Sequence, residues 1–310
     1  MQTLNIRLLG EFQVSLGSNA LHVVNTPRFQ SLLIYLLLNR DKQISRQQLA
    51  FIFWPDASEK QARTNLRRLL YRLRKAFPET DNYLQVDSQT LQWRSDASVS
   101  LDVANFEDAV AEAARAQHFD NQTTHLTALE KAVAHYTGDL IPNHYDEWIT
   151  PERDRLHQLW LTALEQLTHG LEDRRDYDKA IQLAQLPLQR DPLYEPGYQR
   201  LMQLQALNLD RAGILRTYHR CTTVFQQELG IDPAQATTTL YHQLLNGDGA
   251  AVTQAEARPQ RMTTIPLVGR ISEWQQLRTA WQKASRGQAH LVAIAGEAGI
   301  GKSRLAEELG

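Results

Sequence analysis

Two stretches of this 310-residue sequence carry side chains whose types and spacing point to chemistry. One is GEAGIGKS at residues 296–303, a full match to the phosphate-loop pattern G-x-x-x-x-G-K-[ST]. Gly296, Gly299 and Gly301 let the backbone curl until its N–H groups face phosphate oxygens. Lys302 would reach the β- and γ-phosphates, and the Ser303 hydroxyl would ligate magnesium. An apolar run, LVAIA, leads into the loop and a helical run, RLAEEL, leaves it, adding the positive end of a helix. Only residues 304–310 follow, too few for the acidic strand, sensor or arginine finger that hydrolysis needs. The expectation is therefore a front end of a longer parent. ATP with magnesium would belong to that parent, and the present chain would need no cofactor and turn over no nucleotide.

The other stretch is a basic helix predicted over residues 58–77. Leu66, Leu69, Leu70, Leu73 and Phe77 fall at helical spacing and form an apolar stripe, while Arg63, Thr64, Arg67, Arg68, Tyr71, Arg74 and Lys75 stand on the opposite side. Duplex DNA is dense in negative charge, and lysine or arginine contacts release its bound counterions. A helix fits the major groove, where arginine can grip guanine edges with two hydrogen bonds. A solvated basic helix is the plainer reading of such a pattern in isolation. A membrane surface is a third, but the apolar face is needed for the domain core.

The elements around this helix narrow the choice. Leu4, Ile6 and Leu8 alternate with polar residues, as do Phe12, Val14 and Leu16; a turn at residues 17–19 precedes a further apolar run, Leu21–Val24. From Pro27 the period changes to a helix with Leu32, Leu33, Leu36 and Leu37 buried. Ser45 and Gln48 read as a capping box opening a short helix to Phe53, and Ser58 and Gln61 as a second box opening the basic helix, which Pro78 stops. Strands at Tyr83–Val86 and Leu91–Trp93 then flank a turn at residues 87–90. Sheet, three helices and hairpin make an α+β unit over residues 1–97, with the hairpin placed to lie along a groove beside the helix.

Residues 98–245 read as about seven helices. Two segments, DYDKAIQLAQLPLQRDP and DRAGILRTYHRCTTVFQQELGIDP, end alike, with closures at Asp191 and Asp232. A period of that size predicts stacked helix pairs of tetratricopeptide-like packing. Residues 246–262 are small, polar and aperiodic, a linker. Residues 263–310 then carry a helix near 271–285, the strand 290–295 and the phosphate loop, the beginning of an α/β domain. The fold class is thus mainly α, with an N-terminal α+β unit and a truncated P-loop start.

The stretch WPDASEKQARTNLRRLLYRLRKAF resembles the recognition-helix region of winged-helix domains of the response-regulator type. The landmarks from YTGDLIP to QQELGIDP resemble the bacterial transcriptional activation domain, and together the two are similar to SARP-family regulators over residues 1–245. The Leu267–Arg270 stretch resembles the entry to AAA-type and STAND-type ATPase modules. The resemblance implies a winged helix that reads promoter DNA, with contacts carried onto Arg63, Thr64, Arg67, Arg68, Tyr71 and Arg74. It also implies a helical domain that aids oligomerisation, in the simplest case a homodimer, and contact with RNA polymerase. No receiver domain precedes the first strand, so activation by aspartyl phosphorylation is not expected.

Composition agrees. Residues 1–95 carry a net charge of +6 and the remainder −8, which points to an anionic partner for the first segment alone. The single cysteine, Cys221, allows no intrachain disulfide and fits a reducing cytoplasm, and no apolar run is long enough for a membrane span. The ten histidines show no metal-ligand spacing. Trp148, Trp160, Tyr194 and Tyr198 read as helix-packing residues, Asp139 and Asp191 as turn or cap residues, and Arg153 and Asp154 as members of surface ion pairs. Two other functions share these features: the regulatory front of a STAND-type ATPase, and a helical-repeat interaction scaffold.

Overall fold

A computed structural model describes residues 3–17, 19–20, 26–76, 80–94 and 97–246. The apolar run at residues 21–24, Phe77 and Pro78, the linker from residue 247, and the whole of 263–310 with its phosphate loop lie outside the described residues. Among the described residues the chain runs β1 (Leu4–Arg7), β2 (Gln13–Leu16), β3 (Asn19–Ala20), α1 (Pro27–Leu38), β4 (Ile44–Ser45), α2 (Arg46–Phe53), α3 (Glu59–Ala76), α4 (Thr80–Tyr83), β5 (Leu84–Val86), β6 (Thr90–Trp93) and β7 (Val99–Leu101). Eight helices follow: α5 (Asp102–His118), α6 (Gln122–His135), α7 (Thr150–Asp173), α8 (Tyr177–Ala184), α9 (Leu186–Arg190), α10 (Glu195–Leu207), α11 (Arg211–Leu229) and α12 (Gln235–Asn246). The protein is mainly α, with an N-terminal winged helix-turn-helix and a tetratricopeptide-like helical domain.

The first sheet has the order β3-β2-β1-β7, with β1 antiparallel to β2 and parallel to β7. β7 lies past residue 97, so the N-terminal sheet takes its fourth strand from the start of the helical stretch. Alternation in β1 buries Leu4 and Ile6 on the helix side, and Leu8 and Leu9 beyond the strand are fully buried. Proline at the first turn of α1 has no amide to satisfy there, and one face of α1 buries Phe29, Leu32, Leu33, Leu36 and Leu37. The second sheet, β4-β6-β5, forms the wing: β5 and β6 make the expected hairpin, and the two-residue β4 adds an edge that local sequence does not mark. Tyr83, expected in the first wing strand, closes the short α4 instead.

The helical domain is built from hairpins that share one turn. Helices α5, α7 and α10 each end in a residue with positive φ, namely Asp120, Arg175 and Leu209. In each case its N–H donates to the carbonyl three residues back, and the next N–H donates to the carbonyl five back: Asn121 to Ala116, Asp176 to Leu171, Asp210 to Gln205. This is the Schellman closure. The residue after it caps the next helix, with Asn121 accepting from Thr124 N, Asp176 from Lys179 N and Asp210 from Gly213 N. The last two turns, at 175 and 209, stand one tetratricopeptide length apart. This turn spacing is the packing repeat, rather than the interval between the Asp-Pro closures. Helices α8 and α9, read as one segment in the sequence, break at Gln185 because Pro187 cannot donate to the preceding turn.

Residues 1–247 form one compact unit, and the core of the winged helix continues into the first helices of the helical domain. Gly10 N donates to Asp139 O, Ile141 N to Leu8 O and the Thr137 hydroxyl to Leu9 O, so the end of β1 is zipped to the loop after α6. Gly138 approaches Gly10, at φ +96°, so closely that a Cβ on Gly138 would strike the Gly10 backbone. Arg153 on α7 is no surface ion-pair residue: its guanidinium donates to the carbonyls of Leu140, Ile141 and His144 and holds that loop in place. Ile141 itself sits at φ +39°, a strained position for a β-branched residue, fixed by the bonds just named.

Candidate nucleic-acid interface

Helix α3 begins where the sequence places it. Ser58 Oγ accepts from Gln61 N at 3.4 Å and Ser58 O accepts from Ala62 N. Gln61 does not reach back to close a reciprocal box; its amide goes to Asn65 Oδ1 at 2.9 Å. Ala62, Leu66, Leu69, Leu70 and Leu73 are buried against α1, α2 and the wing. Burial of four leucines contributes about 6–12 kcal/mol as an upper figure, enough to hold the helix against the repulsion among its cations.

The opposite side is open. Lys60, Arg63, Arg67, Arg68, Tyr71, Arg72, Arg74 and Lys75 are exposed and Thr64 is half-buried. All six residues carried over from the resemblance therefore share the outward side of one helix. Arg63 pairs with Glu59 at 2.6 Å and Arg74 with Asp81 at 3.4 Å. Such exposed pairs are worth at most about 1 kcal/mol, so exchanging them for phosphate costs little. Among the described residues, Arg67 and Arg68 have no acidic partner. Lys60 and Arg72 belong to the same basic side and are absent from the carried set; angular position around the helix, three to four residues per turn, identifies them from sequence alone.

The wing turn is fixed by its own side chains. Asp87 accepts from Gln89 N and Thr90 N at 2.7 Å and from the Thr90 hydroxyl at 2.6 Å. The Thr90 hydroxyl above all, with the two amides, holds this carboxyl below its ordinary range. Arg46, at the start of α2, donates to Asp87 O at 3.0 Å and brings a cation to a turn that has none of its own. Ser45 caps α2 through Gln47 N, while Gln48 turns to the Tyr35 hydroxyl.

Behind this surface, the helical domain buttresses α1 and α2. Trp148 packs edge-on against Tyr35, with ring centroids 5.1 Å apart, and against Phe53. Ser31 Oγ lies 2.9 Å from His144 Nε2 and 2.7 Å from Asp146 Oδ2, and the same His144 nitrogen is 3.0 Å from that carboxylate. A nucleophilic triad needs the two imidazole nitrogens divided between serine and carboxylate. Here one nitrogen faces both, so the cluster is a latch between α1 and the loop before α7. Burial opposes charge on Asp146, but the Ser31 hydroxyl, His144 and Trp148 outweigh it and hold the carboxyl below its ordinary range.

The remaining expected packing residues sit in the helical domain. Trp160 and Tyr198 are fully buried, Trp148 and Tyr194 partly. Trp160 stacks on Tyr136, and the Arg190 guanidinium covers both rings at 4.4 and 4.9 Å. Asp139 accepts from the Tyr136 hydroxyl, and Asp191 from Leu193 N, as turn residues do.

Comparison with known proteins bears on this arrangement. Residues 101–245 match the bacterial transcriptional activator domain, and residues 266–310 match the AAA ATPase domain. The regulatory protein AfsR of Streptomyces coelicolor is 25% identical over 301 residues, which cover 91% of this chain and 30% of AfsR. In its activator-domain match and its likeness to AfsR the chain resembles SARP-family regulators. A solved structure of Mycobacterium tuberculosis EmbR, in complex with a low-affinity phosphopeptide, shares the fold of this chain with a TM-score of 0.61 and 19% identity. That likeness covers 80% of this chain and 66% of the EmbR chain. The chain thus spans less than a third of AfsR and about two thirds of EmbR. Among its described residues no helix is long and apolar enough to cross a membrane.

Proposed function

We propose that this chain is a sequence-specific DNA-binding transcriptional activator. The observation that carries the reading is the outward side of α3: a continuous set of cations on a helix whose apolar stripe is already buried. Counterion release drives such a surface onto a duplex, and α3 enters the major groove with the wing and Arg46 beside the backbone. The match to the activator domain and the likeness to AfsR support a role for the helical domain in oligomerisation, as a homodimer in the simplest case, and in contact with RNA polymerase. The site of action is then the cytoplasm. Gly296, Gly299, Gly301, Lys302 and Ser303 fall within the AAA match, which supports ATP and magnesium binding by that module.

The test is binding of the 310-residue chain to fragments from its own gene neighbourhood over a range of salt. Affinity should fall steeply with salt. The double substitution Arg67→Ala with Arg68→Ala should abolish tight binding or, if both residues contact phosphate, lower the log–log salt slope by about 1.8. Absence of binding at low salt by a folded sample refutes the reading and favours the helical-repeat scaffold, whose partner binding would be insensitive to salt.

A further inference from the structure

The polar residues of α3 cease to be equivalent once its buried side is known. Thr64, Arg68, Tyr71 and Lys75 recur at steps of four, three and four, one row along the helix. That row lies opposite the buried stripe of Ala62, Leu66, Leu69, Leu70 and Leu73. Arg67 stands on one shoulder, together with Arg63 and Arg74, which the ion pairs to Glu59 and Asp81 draw along the protein surface. Arg72 stands on the other shoulder. The Thr64 hydroxyl donates to Lys60 O at 2.9 Å, so the group that Thr64 turns away from its own helix is the Cγ2 methyl. Arg68 is exposed and has no acidic partner among the described residues.

A helix about 10–12 Å across, seated in a major groove about 12 Å wide, sets its outward row on the base edges and its shoulders beside the two phosphate strands. Resting on the DNA-binding reading, we propose that Arg68 reads a guanine and Thr64 a thymine, while Arg67 and the other shoulder cations hold phosphate. Guanine presents O6 and N7 to the guanidinium fork. Thymine presents the 5-methyl, the partner suited to a threonine whose hydroxyl is engaged and whose methyl faces out. Thr64 and Arg68 are one turn apart, about 6 Å along the helix, so the two bases lie within about two base-pair steps of each other.

Duplexes that the chain retains from a randomised pool serve as probes. Each guanine is replaced in turn by 7-deazaguanine and each thymine by uracil, which removes the N7 acceptor or the methyl and little else. One guanine replacement should weaken wild-type binding about fivefold or more, and Arg68→Lys, which keeps the charge but loses the fork, should be insensitive to it. One thymine replacement should cost about fourfold, and Thr64→Ser, which keeps the hydroxyl but loses the methyl, should be insensitive to it. Arg67→Ala should weaken all duplexes alike and lower the salt slope by about 0.9. Steep salt dependence with no sensitive base, or variants that keep the wild-type sensitivity, overturns the base assignment and leaves the DNA-binding reading standing. A pool from which nothing is retained, with no salt-sensitive binding to any duplex, overturns both.

Discussion

Replacing Asp102 by alanine tests how the winged helix depends on the helical domain. Asp102 opens α5, and its carboxylate points back into the N-terminal sheet. Both oxygens lie 2.9 Å from Leu8 N, one accepts from Leu9 N at 2.8 Å, and the other accepts from Val103 N at 2.8 Å. Leu8 and Leu9 are fully buried, so the substitution leaves two buried amides without an acceptor. Each such amide costs about 1–3 kcal/mol. Against this, burial penalises the charge of Asp102 and, despite the three amides and Arg7, holds the carboxyl above its ordinary range; alanine relieves that penalty. The expected net loss is about 2–4 kcal/mol, which lowers the melting temperature of a unit this size by roughly 4–16 °C. Because the folded carboxyl keeps its proton to higher pH than the unfolded one, its contribution is full below the unfolded value near 3.9 and declines as pH rises through the folded value. The gap between wild type and variant should therefore be wider near pH 4 than near pH 7. Thermal and urea melts across that range read the effect, and Asp102→Asn, which keeps one acceptor oxygen, should fall between. A melt of Asp102→Ala within about 2 °C of wild type would refute the reasoning, since it corresponds to less than about 1 kcal/mol.

Three further outcomes are expected. A Cβ on Gly138 would stand 2.6 Å from Gly10 Cα and 3.1 Å from Gly10 N, backbone atoms that cannot swing aside, so Gly138→Ala should cost about 1–3 kcal/mol; an unchanged urea midpoint would show that the two segments separate freely. The depressed Asp146 carboxyl contributes stability that is present above the unfolded aspartate value near 3.9 and lost as pH falls through the folded value, so Ser31→Ala should start acid unfolding at higher pH; coincident acid transitions would oppose this. Burial first, and Glu195 second, push the Cys221 thiol up to about 12. At pH 8 only about one molecule in ten thousand then carries the thiolate, and alkylation should proceed only after denaturation; labelling of the native chain at the rate of an open thiol would contradict its burial.

The elements whose signals are local were legible in the sequence. Proline at the start of α1, serine caps at residues 45 and 58, and the leucine spacing of α3 are set by steric and hydrogen-bonding preferences within a turn or two of chain. The basic side of α3 follows from the same arithmetic, because whatever the buried stripe excludes must face outward. The wing hairpin was legible from alternation and its polar turn, and the family resemblance extended the reading to a winged helix with a helical domain. β4 and β7 were not, since two and three residues carry no period of their own. Pairing with β6 and with β1, which lies more than ninety residues earlier, decides that they are strands.

Arg153 shows the same division at a single residue. Its sequence neighbours on α7 offer an ion pair, whereas the fold brings three loop carbonyls to its guanidinium, an arrangement that no helical spacing encodes. The Ser31, His144 and Asp146 latch likewise joins residues more than a hundred positions apart. By itself the sequence determined the long helices of the N-terminal unit, the serine caps of α2 and α3 and the charge that α3 exposes, because those depend on interactions a few residues long. Only the tertiary structure decided which loop seals the N-terminal sheet and which carboxylate caps Leu8 and Leu9. Buried backbone amides must find acceptors wherever the packed chain places them.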